Sequence, residues 1–439
     1  MIGKLALLLI AAAVLAGAGI AVADRPGSAS RATVTQRGPG PVVLPTAAVT
    51  ATNSLAFKLL PRLGGDGNVV FSPYSIQTAL AMLDQGAAGS TATQITHVLG
   101  GQGSEELASS DGVLAQRLRE AVTAPKGAPP ADMARLLVAD ALWVQSGLPL
   151  ESPFQSTLTQ DFGAPPEATN FATAPDSARE AINAWAAAHT EQLIKDLMPP
   201  GSIDAFTKLV LANAVYLKAL WENPFVKSST ANGSFFTAAG RHVTVPFMTE
   251  PSFAAEYGSG AGFQAINLPY ADSSLSMLAV MPSQGTLRRF EQRIGSSTLS
   301  RFAGSLAMHQ VDLRMPRLNL RLHTSLNQTL ESLGMADAFG PEADFSGITH
   351  QVALQIEDVE HGAYMRVDEA GTVAAAATGI STYPTAVLGG PVVRLSLNHP
   401  FLLFLRDDTT GAILFAGRVA NPAGSYAQLP AWNRAAHSR

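Results

Sequence analysis

The chain of 439 residues contains no cysteine, and only 14% of its residues are charged. Without thiols it can build no disulfide framework, run no thiolate chemistry and hold no Cys-ligated zinc. Basic residues are also scarce: 29 Lys and Arg stand against 34 Asp and Glu, a formal net charge of −5. That mild acidity argues against nucleic acid as a partner. No lysine follows Lys227, which, with the abundant alanine, fits a base-composition bias. Catalytic signatures are missing as well. There is no metalloprotease HExxH, no Walker-type phosphate loop and no nucleophile-elbow serine. The nine histidines are scattered, with no pair at ligand spacing. Gly258-Ser259-Gly260-Ala261-Gly262 is the nearest glycine-rich motif, lacks a strand-to-helix setting and reads as a plain loop. A Ser/His/Asp set can assemble in space without a local signature, but nothing here points to one. The expectation is a protein that is not an enzyme and needs no cofactor or metal.

What is present is apolar bulk. Hydrophobic residues make up 47% of the chain, too many for a disordered polymer. Length alone suggests two or three domains. Residues 1–23 read as a secretory signal: Lys4, an apolar run from Leu5 to Leu15, then Ala21-Val22-Ala23 before Asp24. An uncleaved membrane anchor is the other reading of this run. Secretion without cysteine points to a bacterial source. Residues 24–47, rich in Pro, Gly, Ser and Thr, read as a flexible linker. Residues 423–439 read as a disordered tail. Between them no second linker or repeat appears, so 48–422 is expected to be one domain.

Within it the periodicities are mixed. Ser72-Pro73 predicts a helix start, a capping hydroxyl followed by a first-turn proline, with Ile76, Ala79, Leu80 and Leu83 at helical spacing. Ser90 opens a second helix, and a third runs from about Ser177 to Met198. Strands are predicted at Leu136–Val144, Leu209–Leu217, Leu275–Met281, Val311–Met315 and Leu318–Leu322. Phe401–Leu405 and Ala412–Val419 flank Asp407-Asp408-Thr409-Thr410-Gly411 as a buried hairpin. This is an α+β pattern with large, mostly antiparallel sheets.

One stretch does not fit its surroundings. Glu369 to Thr382 holds four consecutive alanines between two strand-like regions, Ala363–Val367 and Val392–Leu397. Every second residue from Thr372 (Ala374, Ala376, Thr378, Ile380, Thr382) is small or β-branched and uncharged. As a strand, these would share one face and could enter an existing sheet at little steric cost. A flexible Ala-rich surface linker is the alternative reading.

An ordered series of motifs bears on the choice. Asn68-Val69-Val70-Phe71-Ser72-Pro73-Tyr74-Ser75-Ile76 comes first, then Leu211-Ala212-Asn213-Ala214-Val215-Tyr216-Leu217-Lys218 with Trp221 and Pro224-Phe225. Leu333-Gly334-Met335, Ala343-Asp344-Phe345-Ser346-Gly347-Ile348, His399-Pro400-Phe401 and Phe415-Ala416-Gly417-Arg418-Val419-Ala420-Asn421-Pro422 follow in order. Together they resemble the serpin superfamily over nearly the whole domain. The resemblance implies a metastable fold of three mostly antiparallel sheets and about nine helices, with an exposed reactive-centre loop at about 369–391. It implies a suicide substrate: a serine protease cuts the loop, is held as an acyl-enzyme, and is dragged as the loop inserts into the large sheet. Such loop insertion is strand addition coupled to the release of stored strain.

On the same resemblance, Glu369, Gly371, Thr372 and Ala374, Ala375, Ala376 and Ala377 form the inhibitory hinge. A charge or a proline there would stall the new strand. Family spacing places the scissile bond between Thr385 and Ala386, with cleavage after Tyr383 or Leu388 as alternatives. The implied partner is an elastase-like or subtilisin-like protease, or a chymotrypsin-like one for Leu388, in a covalent 1:1 complex with a monomer. Ser72, Ser75, Asn213 and His361 match the polar shutter beneath the sheet, and Trp221 matches the top of the opening. Thr190-Glu191 lacks the family's glycine after Thr. Glu105 to Ala131 carries only Arg117, Arg119 and Lys126 against several acids, so no heparin site is expected. A non-inhibitory serpin acting as a ligand carrier or chaperone is the alternative; such members tend to have charged or bulky hinges.

Overall fold

The computed structural model describes residues 45–122, 135–260, 262–372 and 391–424. The chain opens with α1 (Thr46–Leu59), β1 (Val69–Phe71), α2 (Pro73–Asp84), α3 (Gly89–Val98) and α4 (Ser104–Ala121). β2 (Arg135–Gln145), α5 (Ser152–Gln160), β3 (Glu167–Thr169), α6 (Pro175–His189) and β4 (Leu209–Leu220) follow. Next come β5 (Ala231–Phe236), β6 (His242–Gly260), β7 (Phe263–Pro269), β8 (Leu275–Pro282), α7 (Leu287–Glu291) and α8 (Ser296–Gly304). Then β9 (Ala307–Pro316), β10 (Leu318–Ser325), α9 (Asn327–Ser332), β11 (Asp358–Val367) and β12 (Gly371–Thr372). β13 (Val393–Ser396), β14 (Phe401–Asp407) and β15 (Ile413–Val419) complete it.

The expected α+β class is borne out. Nine α-helices lie among the described residues. Among the described residues, hydrogen bonding links the strands into two networks, two of the three expected sheets being joined into one. A six-stranded sheet runs β10-β11-β12-β4-β2-β3, and a nine-stranded network contains the rest. The long strand β6 is the reason. Its register against β9 shifts between Glu250 and Phe253, so one strand serves both halves of the larger network. The end of β6 also corrects the loop reading of the glycine-rich motif: Gly258, Ser259 and Gly260 pair with Ala265, Gln264 and Phe263 of β7. The C-terminal hairpin β14–β15 forms where the two apolar runs around a polar turn predict it, and it lies near one end of the larger network, between β1 and β8.

α1 begins at Thr46 and buries Ala47 and Ala48, so the packed unit starts two residues before the expected boundary. At the other end, the Asn68 side chain donates to the carbonyls of Asn421 and Gly424 at 2.7 and 3.0 Å, so Ala423 and Gly424 belong to the fold. Among the described residues no helix is long and apolar enough to cross a membrane.

Three helices position the six-stranded sheet. α2 begins where the sequence predicts: Ser72 caps it by accepting from the Ser75 N–H at 3.2 Å, and Pro73 occupies the first turn. All twelve of its residues are buried, so it is a central rod under the sheet, against β2 and β4. α4 packs on α1 and α2. α6 covers the other face, where Ile182 and Ala186 meet Ala141, Val210 and Ala212. Each fully buried Leu or Ile here is worth about 1.5–3 kcal/mol.

α6 ends at His189, well short of the expected Met198. Thr190 turns the chain by donating its hydroxyl to the Ala186 carbonyl and accepting from the Ile194 N–H. Glu191 and Gln192 then adopt left-handed φ of 47° and 66°. Glu191 therefore stands where a glycine would be unstrained, at a cost of about 1–2 kcal/mol. Its carboxylate recovers part of that through the Tyr216 hydroxyl at 2.9 Å and Arg135 at 3.0 Å.

Candidate functional site

β11 and β4 are parallel neighbours only over part of their length. Six register pairs join them, from Asp358–Val210 to Ala363–Val215. Beyond that the strands part and β12 enters between them, antiparallel to both. Thr372 pairs with Val367 on one side and Ala219 on the other. The described sheet is thus closed in its middle and opened at one end, with Gly371 and Thr372 seated in the opening.

The seated residues must be small. A Cβ on Gly371 would lie 2.1 Å from the Ala219 carbonyl oxygen, inside any permitted contact. Thr372 is fully buried, and its hydroxyl shares a hydrogen bond with the Tyr270 hydroxyl. Burial pushes the Tyr270 phenol above its ordinary range, with the Thr372 bond opposing.

The turn leading into β12 is clamped. The Trp221 ring stacks on Tyr270 at 4.5 Å, and its indole N–H donates to the Asp368 carbonyl at 3.0 Å. The Trp221 and Phe225 backbone N–H groups donate to Ala370 and Glu369 carbonyls, each at 2.9 Å. Glu369 itself is buried; its carboxylate accepts from Thr230 and from Arg317 at 2.5–2.8 Å. Burial alone would raise its pKa, but the Arg317 and Thr230 bonds prevail and hold the carboxyl below its ordinary value. Trp221 thus stands beside the opening. Arg317, Thr230 and Tyr270 were not foreseen. Arg317 carried a signal, a lone cation between two alternating runs at Pro316-Arg317-Leu318.

The closed part of the sheet is locked by a polar row. Cross-strand register lines up Asp140 of β2, Asn213 of β4 and His361 of β11. Ser72 and Ser75 of α2 complete the cluster from below. The Ser72 N–H donates to His361 Nε2 at 3.1 Å, which fixes the tautomer, so Nδ1–H donates to Asn213 Oδ1 at 2.7 Å. The Asn213 amide then donates to Ser75 Oγ and, at 2.5 Å, to Asp140 Oδ1. The Ser75 hydroxyl also donates to Asp140 Oδ1, at 3.2 Å. Every bond is consistent with a neutral imidazole. Burial, with a smaller push from His323, lowers His361 to about 3. Burial raises Asp140 to about 7, against the bonds from Asn213 and Ser75.

Ser72, Ser75, Asn213 and His361 are therefore brought together as expected. Asp140 joins them unforeseen. It is the one charge in the apolar run Leu136-Leu137-Val138-Ala139-Asp140-Ala141-Leu142, and that isolation was the signal. Ala374–Ala377 of the hinge, and Tyr383, Thr385, Ala386 and Leu388, lie outside the described residues. Among the described residues no group of three or more His, Asp and Glu is arranged to hold a metal ion.

The sheet is closed in its middle and parted above, with a short strand of small residues at the gap. Comparison with known proteins identifies the family. The family profile described as serpin (serine protease inhibitor) matches residues 50–422. An uncharacterised serpin-like protein of Thermococcus kodakarensis is 33% identical over 379 residues, covering 85% of each chain. Human thyroxine-binding globulin, solved with its hormone, superposes with a TM-score of 0.75 at 26% identity, covering 87% of this chain and all of that one. A structure described as cleaved Serpin 42Da superposes with a TM-score of 0.74 at 28% identity, covering 86% of this chain and 98% of that one. These neighbours include a hormone carrier, while the family as a whole is one of protease inhibitors directed at serine proteases rather than of catalysts. With the matched profile covering residues 50–422, nearly all of the packed unit, this chain belongs to the serpin family.

Proposed function

We propose that the protein is a secreted inhibitor of serine endopeptidases that traps its target as an acyl-enzyme by inserting the cleaved loop between β4 and β11. The observation that carries this reading is the seated Gly371–Thr372 pair. Its register can be extended by counting. With Thr372 opposite Val367 and Ala219, residue 376 falls between Ala363 and Val215, the uppermost closed pair. Thr378 falls between His361 and Asn213, and Ile380 between Val359 and Leu211. Insertion to that depth must separate the His361–Asn213 hydrogen bond, and Thr378 brings a hydroxyl to the place where it breaks. Thr372 faces the core, so Ala374, Ala376, Thr378 and Ile380 would do so too, and none of them carries a charge into the interior.

Mixing the purified protein with elastase, subtilisin and chymotrypsin, followed by a denaturing gel, tests the reading. The expected result is a band at the summed mass with at least one protease, and mass spectrometry of the released peptide assigns the bond after Thr385, Tyr383 or Leu388. Clipping of the loop by all three without a stable complex would sink the proposal. The fold shared with thyroxine-binding globulin favours a carrier in that event. The leader at residues 1–23 is proposed to export the chain. N-terminal sequencing of secreted protein should begin at Asp24, and retention of Met1 in a membrane fraction would refute export by cleavage.

A further inference from the structure

A cavity of about 550 Å³ lies beside the polar row, walled by α2, α4, β2 and the segment before β3. Its volume is in the range of small-molecule sites. Two carboxylic acids line it. Asp111 of α4 is 2% exposed, and only its Oδ2 is bonded, to the Gln77 amide at 2.8 Å. Gln77 cannot turn to serve Oδ1, because its own oxygen accepts from Thr52 at 2.9 Å. Asp111 Oδ1 and the neighbouring Thr78 hydroxyl are buried, and neither has a partner at full hydrogen-bond geometry, although Thr78 lies near enough to favour the ionised Asp111. Asp140 is the second acid, and both of its hydrogen bonds fall on Oδ1. A buried acceptor left unsatisfied costs about 1–3 kcal/mol, so a donor arriving from the cavity would be well bound.

The remaining walls define what could bring that donor. Trp185, Leu136 and Met82 supply apolar surface. Tyr74 of α2 faces the same space. At the rim, Asp161 and Glu167 add negative charge, against Arg119 of α4 and His189 of α6. Once Asp111 and Asp140 are ionised, above about pH 8, four carboxylates face one arginine and one histidine, and the cavity then favours a cation.

We propose that this cavity is a binding site for a small organic cation, a protonated amine on an apolar body, with the ammonium at Asp111 Oδ1 and Thr78 Oγ and the body against Trp185. The site shares Asp140 with the shutter. An amine that binds only while the row of Asp140, Asn213 and His361 is closed favours the closed sheet and so slows strand insertion. Occupancy itself does not require the inhibitory reading and would register even if no protease is trapped.

Tryptamine is a suitable probe, with indole-3-propionate as the same body carrying the opposite charge. Isothermal calorimetry at pH 8 should show one tryptamine site, bound at least about ten-fold more tightly than indole-3-propionate, a charge-reversal effect of modest size. Burial raises Asp111 to about 8. The amine needs the ionised acid, so its affinity should fall by at least about ten-fold from pH 9 to pH 6. Asp111→Asn should weaken tryptamine by at least about ten-fold and leave indole-3-propionate unchanged. No binding of tryptamine, equal binding of the two probes, or a flat pH profile would overturn the proposal. Should Asp111→Asn fail to fold, the two probes and the pH profile on the unmodified protein still decide it. If binding holds, tryptamine should also slow complex formation with a trapped protease; unchanged rates would sever the link to the shutter while leaving the site intact.

Discussion

The two ends of the β4–β11 seam are held by different chemistry. At the parted end the clamp is an ion pair and a ring stack: Arg317 on Glu369, and Trp221 on Tyr270. Arg317 is 40% exposed, so water and salt can compete with it. In the closed middle the lock is a buried, uncharged chain of hydrogen bonds through His361 and Asn213, where water has no access. The difference teaches how such a sheet can be stable and still open. Side chains that carry formal charge guard the entrance, where they can be rehydrated. In the interior, Asn213 and the neutral His361 offer only donors and acceptors, and burial favours the neutral form of Asp140 beside them, so partners can be exchanged with little charge stranded.

Substitutions should separate the two ends. The largest effect is expected for Thr372→Arg. Thr372 is 1% exposed between two strands, and burying a guanidinium there costs several kcal/mol. The loop should then be cut without trapping, so the summed-mass band disappears; unchanged inhibition would show that Thr372 does not stay in the sheet. Asn213→Ala comes next. It leaves His361 Nδ1 and Asp140 Oδ1 without their shared partner, and should lower stability by about 2–4 kcal/mol in urea unfolding. A loss below about 0.5 kcal/mol would mean that the row is not a lock.

The pH response sharpens the comparison further, because two members of the row titrate in opposite senses. His361 sits at about 3 when folded, below the unfolded value near 6.5, so its contribution is complete above pH 6.5 and is lost as pH falls toward 3. Asp140 sits at about 7 when folded, above the unfolded value near 3.9, so its contribution is complete below about pH 4 and is lost as pH rises through 7. Asp140→Asn keeps an acceptor for Ser75 and Asn213 and removes the second slope. Its melting temperature should exceed that of the parent at pH 8, with the gap closing by pH 4. A gap that is constant with pH would mean that Asp140 does not titrate there.

The smallest effect should come from the entrance. Arg317→Ala leaves Glu369 with the Thr230 bond alone and is expected to cost about 1 kcal/mol, less at high salt. A loss as large as that of Asn213→Ala would erase the proposed distinction between the two ends.

Much of this was legible in the residues. The alternation at Val311–Met315 and Leu318–Leu322 placed β9 and β10, and Ser72-Pro73 placed the start of α2. Motif order placed Ser72, Ser75, Asn213 and His361 in one cluster. The end of α6 was not legible, because the apolar spacing continues through Leu193 while two left-handed residues, Glu191 and Gln192, break the backbone. Asp140 was missed for another reason. In an alternating strand a lone carboxylate says only that something must satisfy it, and the donors come from Ser75 on a helix and Asn213, 73 residues away.

The sequence by itself determined the α+β class, the strands that alternate, such as β10, and a run of small uncharged residues from Gly371 to Thr382. Period-two alternation and residue volume are local properties, and they act before any strand finds a neighbour. Only the tertiary structure decided the register. It put Asp140, Asn213 and His361 side by side, let β11 and β4 meet over six pairs and part above them, and seated Gly371 against the Ala219 carbonyl. Alternation selects a face but is indifferent to a slide of two residues along the strand. That choice was made by hydrogen bonds between groups as far as 289 residues apart, as from Ser72 to His361.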